Sequence, residues 1–129
     1  LHSPGQKIIY FVFNLNNKKK DIRRFVTKIE DSIIEFLKIY KIQSKSDRNN
    51  IGVWVKKKKI AAIGIKIKSW IAYHGCSINI KNDISMYKKI LPCGLDGSMI
   101  TSMKDLDVKT SKNINNNLKR VFLKNLSKV

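Results

Sequence analysis

The stretch Lys7-Ile8-Ile9-Tyr10-Phe11-Val12-Phe13-Asn14-Leu15 constrains the fold more than any other. It is almost continuous in β-branched and aromatic side chains, which fit a pleated, packed surface. A strand with one wet face alternates apolar and polar residues. This run does not, so it reads as a strand buried on both faces. Such a strand needs strand neighbours and a covering layer on each side. The turn His2-Ser3-Pro4-Gly5-Gln6 delivers the chain into it directly. A central strand this close to Leu1 carries the expectation that part of the domain lies upstream and is absent.

The next long segment can supply cover. From Asp21 to about Ile42, Ile22, Phe25, Val26, Ile29, Ile33, Phe36, Leu37 and Tyr40 recur at spacings of three and four, one stripe of an amphipathic helix. Asp21 suits its cap or first turn. Ile51-Gly52-Val53-Trp54-Val55 and Lys59 to Lys68 read as a hairpin joined by a lysine turn. Ile71 to Ile80 is a further strand, interrupted by Gly75. A glycine there marks a bulge or a close backbone approach. Cys76 shares a face with Ile78 and Ile80 and reads as core. Asn82 or Asp83 can cap a short helix to Ile90, and Thr101 to Leu106 can form a turn or two of helix. A last helix from Ile114 to Leu126 carries Leu118, Val121, Phe122 and Leu126 on one side. Strand, long helix, hairpin, strand, short helix, turn and terminal helix make an α/β (α+β) sandwich, with helices packed on a mixed or mostly antiparallel sheet. At 129 residues, 1–129 is a single domain.

The net charge of +18 raises nucleic-acid binding. Of the 27 basic residues only Arg23, Arg24, Arg48 and Arg120 are arginine, the bidentate reader of phosphate and guanine. The lysines are spread along the chain rather than gathered on one helix, and Asn and Ile are abundant as in A/T-rich coding. The charge therefore reads as a solvated surface able to attract acidic partner proteins, and nucleic acid is not an expected partner. No apolar run reaches the ~18 residues of a membrane span, and no export signal is visible. Cys76 and Cys93 form no disulfide framework and no zinc site, so a reducing, cytoplasmic setting and no metal are expected.

Cys93 stands in Leu91-Pro92-Cys93-Gly94-Leu95. Pro92 bars a helix interior, and Gly94 permits a turn most residues cannot make. The turn would present a thiol to a substrate; the plainer reading is a small buried apolar residue. Lys59 is the other candidate. On its strand Lys59, Ala61, Ile63, Ile65 and Ile67 alternate with Ile60, Ala62, Gly64, Lys66 and Lys68, which places Lys59 with the apolar series. A lysine driven toward an apolar pocket can act as a base. The residues alone leave open a Cys-His pair through His2 or His74 and a Cys-Lys pair through Lys59. There is no glycine-rich phosphate loop.

Four segments in order resemble the octanoyltransferases of lipoate biosynthesis: His2-Ser3-Pro4-Gly5-Gln6, Lys59-Ile60-Ala61-Ala62-Ile63-Gly64, His74-Gly75-Cys76-Ser77-Ile78-Asn79 and Pro92-Cys93-Gly94. The resemblance implies the fold of the biotin and lipoate protein ligases. It implies that Cys93 is a nucleophile carrying an acyl thioester and that Lys59 lowers its pKa. By the same resemblance Ala62, Ile63, Gly64, Gly75, Cys76, Ser77 and His2 line the acyl pocket. The implied donor is octanoyl-acyl carrier protein. The implied acceptors are lipoyl domains of 2-oxoacid dehydrogenases and the glycine cleavage H protein, with no cofactor. In that family an Arg-Gly-Gly-x-x-Thr segment precedes the His-x-Pro-Gly-Gln turn. Here Leu1 stands just before His2, so the expectation is a catalytic-domain fragment without its N-terminal part. An inactive remnant of the family, an ATP-dependent ligase and a basic nucleic-acid-binding module are the alternatives.

Overall fold

A computed structural model of the protein describes residues 4–16, 21–83, 99–109 and 113–129. His2, Cys93 and the short helix expected up to Ile90 lie outside the described residues. The elements are β1 (Gln6–Asn14), α1 (Ile22–Ile39), β2 (Val53–Val55), β3 (Lys58–Lys68), β4 (Ile71–Asn79) and α2 (Ile114–Leu126). The strands form a four-stranded sheet in the order β1-β4-β3-β2. Every pairing between these strands is antiparallel.

Local chemistry accounts for both ends of α1 and for the turn between β3 and β4. Asp21 caps α1: its Oδ1 accepts from the Arg24 N–H at 3.0 Å. The apolar stripe continues toward Ile42, but the helix stops at Ile39. Lys41 there takes the left-handed conformation at φ +62. The Lys41 N–H then bonds the Lys38 carbonyl and the Ile42 N–H the Leu37 carbonyl, closing the end as a Schellman cap with Ile42 tucked into the core. The β3–β4 connection is a two-residue turn, Ser69-Trp70, with φ of +51 and +63. Positive φ at both positions matches the twist of the strands it joins.

One layer of helices covers one face of the sheet. The Phe25 ring meets Phe11 edge-on at 5.7 Å between centroids and Phe13 at 5.0 Å. Phe25, Ile29, Ile33, Phe36 and Leu37 of α1 are buried with Ala61, Ala72, Cys76 and Ile78 of the sheet. Each large side chain among them contributes roughly 1.5–3 kcal/mol of burial free energy. α2 leans on α1, where Lys124 pairs with Glu35 and Asn125 donates to it at 3.0 Å. Leu118 and Phe122 of α2 line a groove of about 430 Å³ against Ile9 and Phe11 of β1.

The first strand differs from its reading. β1 is the edge of the described sheet, hydrogen-bonded to β4 alone among the named strands. Ile9, Phe11 and Phe13 pack on the core, whereas Tyr10 is 70% and Val12 78% exposed. An unbroken apolar run shows only that neither face is polar. Which face is covered depends on where the helices land.

Candidate functional site

Directly opposed residues of an antiparallel pair share a face. Ala62 pairs with Ser77 and Gly64 with Gly75 across β3 and β4. On β1, Ile8 opposes Ser77 and Tyr10 opposes Gly75. The face away from α1 therefore carries a floor of small residues flanked by apolar ones. At Gly64 an added Cβ would meet nothing within 4 Å. Ile63 and Cys76 oppose each other and belong to the helix-covered side. Cys76 is only 5% exposed, and burial pushes its thiol up to about 12. A thiol so held is inert near neutral pH, since the thiolate is the nucleophile.

Gly75 has a structural reason of its own. A Cβ there would sit 1.8 Å from the Ile9 carbonyl oxygen, so β1 and β4 run too close for any side chain. The pleat breaks one residue earlier, where His74 has φ +73. Its ring then lies 5.0 Å from that of its neighbour Tyr73 instead of on the opposite face.

Lys59 sits at the start of β3, half-buried, opposite Trp54 of β2. Its Nζ lies over the Trp54 ring, 5.5 Å from the centroid. At this end β4 gives way to another neighbour: Ile100 bridges Lys59 in parallel, and the Thr101 N–H donates to the Lys59 carbonyl at 2.9 Å. Asn79, at the end of β4, ties the corner together. Its Nδ2 donates to the Thr101 carbonyl at 3.1 Å, and its Oδ1 accepts from Asn82 Nδ2 at 3.2 Å and Gln6 Nε2 at 2.9 Å. The Lys81 N–H reaches the Gly5 carbonyl at 3.2 Å.

One end of the sheet thus gathers Gly5 and Gln6, which lie just after His2 in the chain, the half-buried Lys59, and Asn82 and Thr101, which flank the stretch containing Cys93. The small-residue floor of Ala62, Ser77 and Gly64 leads away from that end on the open face. Asn79 closes one of the four segments that carry the resemblance but is given no role there, and Thr101 carries no motif. Among the described residues no group of His, Cys, Asp and Glu could hold a metal ion. Nor is any described helix long and apolar enough to cross a membrane.

The family model of the lipoyl protein ligase A/B catalytic domain matches residues 1–122. The chain belongs to that family. An octanoyltransferase of Wolbachia sp. subsp. Brugia malayi (strain TRS) is 43% identical over 129 residues, covering 95% of this chain and 63% of the relative. The chain therefore spans less than two thirds of that relative's length. A lipoate-protein ligase A bound with ATP superposes with a TM-score of 0.80 at 14% identity, over 95% of this chain and 53% of the other. The biotin protein ligase of Aquifex aeolicus gives 0.74 at 16% identity, over 96% and 54%. These likenesses establish the fold that the four segments imply, an α/β architecture in which helices pack on an antiparallel sheet.

Proposed function

We propose that the protein moves an octanoyl group from octanoyl-acyl carrier protein to a lysine of a lipoyl domain through a thioester on Cys93. The observation that carries the reading is the convergence at one sheet end. The Lys59 backbone and the anchors on both sides of the Cys93 stretch are hydrogen-bonded together there, at the end of the sheet from which the open-face floor of Ala62, Gly64 and Ser77 leads away. The octanoyltransferase relative supports the acyl group.

The Cys93 thiolate attacks the thioester carbonyl of the donor. A carbon–sulfur bond forms, the bond to the carrier's sulfur breaks, and the carrier thiolate leaves. The Lys59 ammonium favours the attacking thiolate and gives its proton to the departing one. The neutral amine then takes the proton from the acceptor lysine as it attacks the acyl-Cys93 carbonyl. An amide forms and the Cys93 thiolate is released. A thioester is already activated, so neither ATP nor a metal is used. Lowering the thiol's pKa from its usual ~8.5 by a unit or two raises the thiolate fraction about tenfold or more. Ala62, Gly64 and Ser77 seat the acyl chain, Ile63, Gly75 and Cys76 shape that seat from the backbone and core side, and His2 closes its near end. The acceptors are lipoyl domains of 2-oxoacid dehydrogenases and the glycine cleavage H protein, drawn in by the basic surface. A free thiol nucleophile fits a reducing compartment such as the cytoplasm.

The test is to incubate the full-length protein with octanoyl-acyl carrier protein, without ATP, and map the adduct by mass spectrometry. An octanoyl group on Cys93, absent in Cys93→Ser and discharged by a lipoyl domain, is expected. An adduct on Cys76, or transfer that needs free octanoate and ATP, would overturn the reading.

A further inference from the structure

The geometry points to Gly52 and Glu30 as positioning residues that hold the Lys59 side chain for its reaction. The inference rests on the role proposed above for Lys59 and adds a support that no motif marks. A lysine side chain carries about 2 kcal/mol of rotamer entropy, so one with a task needs walls. Trp54 is one wall, with Nζ over its ring. Gly52 is the other. A Cβ at Gly52 would lie 2.6 Å from Lys59 Cε, 3.4 Å from Nζ and 3.0 Å from the Ala61 carbonyl oxygen, so the end of the lysine side chain and the β3 backbone together occupy the space any other residue would fill. Gly52 also has φ +141, a conformation that L side chains rarely adopt.

The Gly52 wall is itself held in place. Glu30, on the covered side of α1 and only 7% exposed, accepts the Gly52 N–H on Oε2 at 3.1 Å. Burying a carboxylate is costly, and a neutral residue would pack there more cheaply. What the carboxylate holds is the peptide against which Lys59 lies. The chain of contacts runs from α1 through Glu30 to Gly52 and on to the lysine. The Thr101 N–H fixes the lysine's backbone from the other side.

The experiment uses the full-length protein and two readouts. The first is the NMR shift of the Lys59 Hε protons, which the Trp54 ring moves upfield. The second is the pH profile of Cys93 alkylation by iodoacetamide. In the wild type the Lys59 Hε signal is expected upfield of those of Lys56 and Lys57, and a signal that coincides with theirs overturns the inference without any variant. Gly52→Ala and Glu30→Ala are expected to return that signal toward theirs. They should also slow Cys93 alkylation at neutral pH by about threefold to tenfold, the thiolate lost when the midpoint rises by about half to one pH unit. Glu30→Gln, whose amide oxygen still accepts the Gly52 N–H, is expected to stay near wild type in both. A purely structural role would lower stability without moving either signal. If Lys59→Ala shifts the alkylation profile and a folded Gly52→Ala does not, the positioning role falls and the proposed function stands. If Lys59→Ala leaves the profile unchanged, the role proposed for Lys59 falls and takes this inference with it.

Discussion

Gly64 and Gly75 face each other across β3 and β4 and have opposite reasons to be glycine. A Cβ on Gly64 meets open space, whereas one on Gly75 strikes the Ile9 carbonyl. The same contrast runs through the whole sheet. Toward α1, the alternating residues Ile9, Phe11 and Phe13 of β1 and Ala72, Cys76 and Ile78 of β4 pack into the core. On the other side, Tyr10, Val12 and Ala62 are exposed. One face holds the molecule together, and the other is open around Ala62 and Gly64, so it can be shaped for a ligand there. A strand alternates sides with every residue, so neighbours in the chain serve the two faces in turn.

The largest test of this division compares Phe25→Ala with Val12→Ala. Phe25 is fully buried between the helix and β1, and its truncation is expected to cost about 3–5 kcal/mol. Val12 is exposed, and its truncation should change stability by less than about 0.5 kcal/mol. Urea denaturation of both reads the difference, and similar losses would mean that the outer face is as tightly packed as the inner one.

A smaller effect separates the two glycines. Gly75→Ala forces β1 away from β4 and should cost about 1–3 kcal/mol or more. Gly64→Ala should lie within about 0.5 kcal/mol of the wild type. The order reverses in function. Gly64→Val, which fills the proposed acyl seat, is expected to lower octanoyl transfer by about tenfold, or 1.4 kcal/mol of transition-state binding. A Gly64→Val protein with unaltered transfer would remove the floor from the substrate path.

The smallest effects come from two carboxylates of α1 and have opposite signs. Burial raises the Glu30 carboxyl above its usual 4.5, against the lowering hydrogen bond from Gly52. Its contribution to stability is therefore full below 4.5 and is lost as pH rises through the folded value. The hydrogen bond from Lys124 lowers Glu35. Its contribution is present above 4.5 and is lost as pH falls through the lowered folded value. Both partners of that pair are more than a third exposed, so the effect stays within about 0.5 kcal/mol. Stability measured across the acid range should lose the decline above 4.5 in Glu30→Gln and the acid limb in Glu35→Gln. Identical profiles would show that burial does not distinguish the two sites.

The local elements were legible because their signals are local. The three-and-four spacing from Ile22 to Leu37, the Asp21 cap and the stripe from Ile114 to Leu126 each report on one helix and need nothing else. The alternation from Ile63 to Lys68 likewise predicted which side of β3 is wet. Family membership was legible from four short segments in order, and the candidacy of Cys93 from the turn chemistry around it. Sequence alone misplaced β1, because an apolar run says nothing about which partner lies beside it.

Sequence by itself determined the two long helices, the lysine turn between β2 and β3, and the family. Tertiary structure decided that Gln6 pairs with Asn79, that Ile63 stands opposite Cys76 and Ala62 opposite Ser77, and that Thr101 reaches Lys59. It also decided that Gly75 is glycine because the β1 backbone lies against it, and that Gly52 is glycine because the Lys59 side chain and the Ala61 carbonyl fill the room beside it. The physical reason is separation along the chain. Periodicity encodes the contacts a residue makes within its own turn or pleat. The register between Gln6 and Asn79, 73 positions apart, is set by the total burial of two whole strands and the helices laid across them.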